Sequence, residues 1–317
     1  MEMKKKIIRI ICFPLCFILF AVAVTALMPD SFAKSYQRVL VTQYDYLNSI
    51  DEEKIVFVGN SCLAFGFDQE LMEELTGKPC PILGNNAGHG LTFLLEMSKT
   101  NLRAGDTVVI EFSNNEYNRC GTEFILTGLG NRYDMYKIFF PQLEKEFFKG
   151  YVSAVKKRFE TCLVGGFAIN DPSYTKAAFS DKGGMILQRD ECMIPYPYTA
   201  EVARTYGAPR FELLQFDPDF IQYLNSYTAY CEERGVKVYF TTSCYMDEAV
   251  VGTEAAMDAC DAQLDEALDA QLISQTKDYV FGREYFYNSI MHCNTKGAAL
   301  RTQLLYQDLQ KALVSAS

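Results

Sequence analysis

Short apolar runs that end in polar, glycine-containing loops are the feature that most constrains the fold of this 317-residue chain. Runs at 55–58, 82–85 and 107–112 are each followed by a loop, and the first two loops lead into helical patterns. Strands buried on both faces of a parallel sheet have such continuous apolar runs, and β–loop–α units join through right-handed crossovers. Further runs at 236–242 and 279–281 add two strands. The sequence therefore predicts an α/β fold, a three-layer α/β/α sandwich around a parallel sheet of about five strands.

The pattern loosens between residues 118 and 216, which we interpret as an insertion in a domain spanning 54–317. An insertion at the carboxyl edge of a parallel sheet lies where loops shape specificity. Four tyrosines in its polar stretch, 165–207, have two interpretations, a surface for a sugar ring or, as we favour, packing of the insertion onto the body. These four are Tyr174, Tyr196, Tyr198 and Tyr206.

The amino terminus differs from the rest of the chain. Four basic residues within positions 4–9 precede an apolar run at 10–28. Such a run is close to the ~20 residues that cross a bilayer, and the basic flank predicts a cytoplasmic amino terminus. A cleaved signal peptide is the alternative, because Ser31-Phe32-Ala33 offers small residues for cleavage. We favour a retained single-pass anchor (1–33), followed by a neck (34–53) and an extracytoplasmic domain at the cell membrane.

Composition and motifs argue against several classes of ligand. Without residues 1–29 the chain has a net charge of −13, which predicts no binding to nucleic acid or anionic lipid. The eleven cysteines include no C-x-x-C pair, so neither a zinc site nor a regular disulfide framework is indicated, although one or two disulfides are compatible with the pattern. Gly88-His-Gly90 and Gly128-Leu-Gly130 lack the third glycine of a dinucleotide fingerprint. We expect no metal and no cofactor.

A serine and a histidine are placed to meet at one edge of the sheet. Ser61 follows the first predicted strand and His292 follows the last, and carboxyl ends of parallel strands share an edge. A serine nucleophile needs such a base within hydrogen-bond reach. The alternative role for Ser61 is a helix N-cap, which is the commoner use of a serine after a strand.

Donors for a tetrahedral oxyanion are available on the intervening loops. Backbone N–H groups of Gly88 and Gly90 follow the second predicted strand, and the amides of Asn114 and Asn115 follow the third. N–H groups and asparagine amides are typical oxyanion donors. His89, between the two glycines, either contacts substrate there or is a turn residue without a chemical role.

The order of these residues resembles that of the SGNH (GDSL-type) hydrolase superfamily. More narrowly it is similar to the membrane-anchored, extracytoplasmic SGNH-like proteins of bacterial envelope modification. The matching blocks are Gly59-Asn-Ser61, Asn86-Ala-Gly-His-Gly90, Ser113-Asn-Asn-Glu116 and Asn288-Ser-Ile-Met-His-Cys-Asn-Thr-Lys-Gly297. The match spans 54–117 and 236–313 and leaves the insertion uncovered.

The resemblance implies a flavodoxin-like SGNH fold and a role for each block. Ser61 would be the nucleophile and His292 the base, with Gly90 and Asn115 as oxyanion donors and Gly88 and Asn114 as the next choices. It also implies an esterase or O-acyltransferase that acts on acyl groups, acetyl foremost, of cell-envelope glycans, with a membrane acyltransferase as a partner.

Two positions depart from the family pattern. The nucleophile block reads Gly-Asn-Ser, where Gly-Asp-Ser is usual, and we expect Asn60 to contact substrate. The aspartate that usually lies three or four residues before the histidine is replaced by Ser289 or Asn288. An asparagine can orient an imidazole but cannot stabilise the imidazolium by charge, unless Glu284 or Asp278 approaches instead. The alternative to an enzyme is therefore a catalytically degenerate binding or assembly protein of the envelope.

Overall fold

A computed structural model describes residues 12–13, 15–16, 19–20, 27–112, 121–142, 145–166, 171–213 and 215–315. Its strands and α-helices alternate along the first half of the chain, as β–loop–α units require. In chain order they are α1 (Val39–Ser49), β1 (Ile55–Val58), α2 (Ser61–Gly66), α3 (Gln69–Thr76), β2 (Ile82–Leu83), α4 (Leu91–Ser98), β3 (Thr107–Phe112), α5 (Thr122–Leu129), α6 (Lys145–Leu163), α7 (Ala200–Tyr206), α8 (Pro218–Glu232), β4 (Lys237–Thr242), β5 (Tyr245–Met246), α9 (Glu254–Ala267), β6 (Val280–Phe281), β7 (Phe286–Ser289), β8 (His292–Cys293) and α10 (Thr295–Ser315).

The main sheet has four parallel strands in the order β2–β1–β3–β4. Ile55 of β1 pairs with Thr107 of β3, which pairs in turn with Lys237 of β4. The inner strands β1 and β3 are buried along their whole length, as expected for a parallel sheet covered on both faces. The predicted α/β fold with a parallel sheet is confirmed.

Alternate strand residues pack into two separate cores, one on each face of the sheet. Val56, Val108 and Phe240 face a core shared with α1, α4, α5 and α8. Phe57 and Val109 face a second core, shared with α2, α3 and α10. This division makes the three layers, because successive side chains of a strand point to opposite faces.

The predicted fifth strand of the main sheet was placed wrongly. Residues 280–281 pair in parallel with β5 in a separate two-stranded sheet. The outer edge of β4 is covered instead by residues 271–273, since Phe240 donates to the carbonyl of Gln271 and accepts from the N–H of Ile273. Apolar residues at helical spacing predict a helix from about residue 253 to residue 276, but α9 ends at Ala267. Asn225 of α8 hydrogen-bonds the backbone at the carboxyl end of α9. It donates to the carbonyl of Ala267 and accepts from the N–H of Asp269.

The predicted neck and the insertion both contribute to the packed body. In α1, which lies within 34–53, Leu40 and Leu47 are fully buried in the main core. In α5, within the insertion, Ile125 and Leu129 are buried in the same core. Both segments are therefore structural parts of the domain.

The predicted anchor at 10–28 falls mostly outside the described residues. Within the ranges that the structure describes, no helix has both the length and the apolar character needed to cross a membrane.

Candidate active site

Ser61 begins α2 without capping it. The cap is Asn60, whose side-chain oxygen accepts a hydrogen bond from the N–H of Cys62 at 2.7 Å. Asn60, which was expected to contact substrate, therefore has a structural use in which an asparagine at this position is favoured. Because Asn60 supplies the cap, the hydroxyl of Ser61 is left to interact across the site.

His292 reaches Ser61 from the other end of the domain. Its Nε2 lies 3.0 Å from Oγ of Ser61, so the two residues expected to meet are within hydrogen-bond distance. His292 lies on β8, which pairs antiparallel with β7 so that Ser289 is opposite His292. This hairpin, rather than a strand of the main sheet, positions the base.

Asn288 occupies the position beside the other nitrogen of the imidazole. Its Oδ1 lies 2.9 Å from Nδ1 of His292. If Nδ1 donates this bond, Nε2 has no hydrogen and can accept the proton of Ser61, as a general base must. Among the described residues no carboxylate hydrogen-bonds His292, and Glu284 and Asp278 are both exposed.

Tyr174, which belongs to the insertion, adds a further hydrogen bond to the series formed by Ser61, His292 and Asn288. The amide nitrogen of Asn288 donates to the hydroxyl of Tyr174 at 3.2 Å. Tyr174 closes a 3₁₀ turn (Pro172–Tyr174) that begins at Asp171, whose side chain caps it. The sequence analysis assigned Tyr174 to the insertion, but no sequence pattern indicated a hydrogen bond between Tyr174 and Asn288.

The imidazole of His292 packs against an aromatic ring. It stacks on Phe65 of α2, with ring centroids 4.2 Å apart and planes 9° from parallel. The guanidinium of Arg189 lies 5.2 Å from the same phenyl ring and donates to the carbonyls of Phe65 and Cys293. Burial, and to a lesser extent the charge of Arg189, lowers the pKa of His292 to about 3. The imidazole is therefore neutral at pH 7, and with so low a pKa it is a weak base.

A tight glycine turn follows β2, the neighbour of β1 in the sheet. Asn86 begins it, accepting from the N–H of Gly88 at 2.7 Å and donating to the hydroxyl of Tyr36 at 2.9 Å. Gly90 ends it with φ +71°, in the region that favours glycine, and donates its N–H to the carbonyl of Ala87. Both N–H groups predicted to bind an oxyanion are thus hydrogen-bonded within the turn.

The N–H of Ser61 is a donor that the sequence analysis missed. It lies in the first turn of α2, where N–H groups have no partner within the helix. No described residue accepts a hydrogen bond from it. The signal was present in the sequence, because a nucleophile at the first position of a helix carries its own unpaired N–H.

Two of the predicted site residues, Asn114 and Asn115, lie outside the described residues. Their role as oxyanion donors therefore stays a prediction.

His89 is packed inside the protein, away from solvent. Its side chain is fully buried, and its ring centroid lies 5.0 Å from that of Phe124 of α5. Neither ring nitrogen has a hydrogen-bond partner in the described structure. Burial lowers the pKa of His89 to about 3, so the ring is neutral. In this arrangement the ring belongs to the core rather than to the solvent-facing surface of the site.

A buried ion pair lies under the nucleophile helix. Arg301 of α10 pairs with Glu111 of β3, and both side chains are almost completely buried. Arg301 also donates to the carbonyl of Gly66 at 3.2 Å, while Ser243 donates to Glu111 at 2.7 Å. A cation at the carboxyl end of α2 favours the helix dipole. The pair fixes α2, and with it Ser61, to the sheet and to α10.

No cluster of three or more potential metal-ligating side chains occurs among the residues described. Comparison with models of known protein families and with curated proteins finds no match to this chain.

Proposed function

We propose that this protein is a serine esterase or O-acyltransferase that acts on acyl groups, acetyl foremost, of cell-envelope glycans. The observation that carries the proposal is that His292 lies between Ser61 and Asn288. Its Nε2 is 3.0 Å from Oγ of Ser61, and its Nδ1 is 2.9 Å from Oδ1 of Asn288. A hydroxyl, an imidazole and an orienting oxygen in this order are the parts of nucleophilic acyl transfer. The glycan, the extracytoplasmic location and a membrane acyltransferase partner rest on the sequence resemblance and the predicted anchor.

The proposed reaction begins with attack of Ser61 Oγ on the ester carbonyl carbon while His292 Nε2 takes the hydroxyl proton. The N–H of Ser61 is available to the oxyanion that forms. Collapse of the intermediate breaks the bond to the alcohol, which leaves with the proton from His292. Water in an esterase, or a glycan hydroxyl in a transferase, then attacks the acyl-serine while His292 takes its proton. Collapse of this second intermediate breaks the bond between the acyl group and Oγ, and His292 returns the proton to Ser61.

The test is labelling of the full chain with a fluorophosphonate, followed by release of acetate from O-acetylated glycans. We expect labelling of the parent protein and of Ser226→Ala, at an exposed serine of α8, and none in Ser61→Ala or His292→Ala. Labelling retained in Ser61→Ala, or absent from a folded parent, would contradict the proposal.

A degenerate binding or assembly protein is the second candidate. It is favoured by the neutral amide of Asn288 in the third position and by the N–H groups of Gly88 and Gly90, which bond within their own turn. An amide gives no charge stabilisation to an imidazolium. This candidate predicts that acetylated glycans bind equally well to the parent and to Ser61→Ala, with no labelling and no acetate release.

A further inference from the structure

One side of α6 exposes an apolar stripe. Val152, Phe159 and Leu163 have 65%, 51% and 71% of their surface exposed, and Val164 follows with 79%. Their spacings of seven and four residues place the first three on one face of the helix. Contiguous exposed apolar residues are typical of sites that meet a membrane or another protein.

The opposite side of α6 is already occupied by α5. Ala154 is buried in the main core, and Gly150 lies so close to Thr122 that a Cβ there would be 2.5 Å from the threonine Cβ. Lys157 pairs across the same contact with Glu123 at 3.2 Å. The apolar stripe therefore faces outward because the helix is fixed by its other side.

The stripe lies where the chain leaves the domain toward its apolar amino-terminal run. The hydroxyl of Ser31 donates to the carbonyl of Arg158 at 3.3 Å, and the thiol of Cys162 donates to the carbonyl of Pro29 at 3.5 Å. Residues 29–31, which follow the apolar run in the sequence, therefore lie beside the last two turns of α6. Leu27, at this junction, is 84% exposed.

We propose that α6 lies in the surface of the bilayer that the amino-terminal run enters, with Val152, Phe159 and Leu163 among the acyl chains. The continuity of the stripe with that run selects lipid as the occupant. An amphipathic helix of this kind is buried by about 5–10 Å at the boundary between headgroups and acyl chains. The proposal rests on the predicted anchor and is independent of catalysis.

The contact depends on apolar area and little on lipid charge. Lys156 lies on the same face as the stripe, 3.8 Å from Glu160, so the lysine there has an acidic partner. Its stem can extend along the stripe while the ammonium group stays in water. Zwitterionic bilayers are therefore expected to suffice for binding α6, since the net charge of −13 outside residues 1–29 disfavours anionic lipid.

The chain has no tryptophan, so a single introduced tryptophan reports on one position. The full chain carrying Phe159→Trp would be reconstituted in phosphatidylcholine nanodiscs with and without brominated acyl chains, which quench tryptophan on contact. The matched control is Tyr196→Trp, at an exposed position on the segment before α7. Leu163→Trp is a second reporter in case one variant folds poorly.

We expect bromolipid to reduce the emission of Phe159→Trp and Leu163→Trp by about twofold or more, as for residues in the interface, and to leave Tyr196→Trp unchanged. Phosphatidylglycerol should not be needed for the quenching. Unquenched emission from both reporters overturns the proposal. If that emission is water-like, the stripe is solvated, and if it is blue-shifted, a second copy of the chain covers the stripe. Quenching confined to anionic lipid also overturns it.

Discussion

The side-chain oxygen of Asn288 lies 2.9 Å from Nδ1 of His292, where serine hydrolases commonly have a carboxylate. The position is filled geometrically but lacks the negative charge. The difference between orientation and charge is therefore open to experiment in this protein.

Asn288→Asp is expected to raise the rate of fluorophosphonate labelling by about tenfold, because a carboxylate beside Nδ1 stabilises the imidazolium and raises the pKa of His292. Asn288→Ala is expected to lower the rate by about 100-fold, through loss of orientation. Second-order labelling rates of the three proteins provide the measurement. Equal rates in all three would show that Asn288 does not orient the base.

Tyr174→Phe is expected to lower the labelling rate by about three- to tenfold, because the N–H of Asn288 loses its acceptor and the amide is free to turn. The effect belongs in kcat more than in KM, since the hydroxyl acts through His292. Tyr287→Phe is the matched control, being a half-buried tyrosine near Phe65 whose hydroxyl bonds to none of the described residues. A similar loss in both variants would indicate a general packing effect.

The labelling rate should change little between about pH 8 and about pH 5. The pKa of His292 is lowered to about 3, so the base stays neutral across this window and loses activity only as the pH falls toward that value. A histidine with an ordinary pKa of about 6.5 would lose roughly 30-fold by pH 5. A pH–rate profile, with circular dichroism to confirm folding at each pH, distinguishes the two. A midpoint near pH 6.5 would contradict the buried environment.

His89→Leu should make the protein less sensitive to acid. Below pH 6.5 the unfolded chain binds a proton at His89 that the folded protein, with its lowered pKa, does not bind until about pH 3. Stability contributed by the neutral ring is present above pH 6.5 and decreases as the pH falls. Between pH 7.5 and pH 5 the parent should lose about 2 kcal/mol more free energy of unfolding than His89→Leu. Urea unfolding at both pH values measures this, and parallel losses would show that His89 is accessible to protons when folded.

The sequence predicted the sheet because its inner strands are unbroken apolar runs. It predicted that Ser61 and His292 meet, but from a strand at 279–281 that does not belong to the main sheet. It did not predict that β7 and β8 form the hairpin carrying His292, since Phe286–Ser289 has no clear alternation of apolar and polar residues. The prediction that residues 268–276 continue the helix was also wrong. The end of α9 depends on Asn225, some 40 residues away, and periodicity carries no information about such a distant cap.

The insertion supplies Tyr174 to a relay whose other members come from the beginning and the end of the domain. The nucleophile and the base can therefore stay the same while the insertion, which the main sheet does not constrain, changes the groups around them. Substitutions within residues 171–179 are therefore a route to altered base strength that leaves both Ser61 and His292 in place.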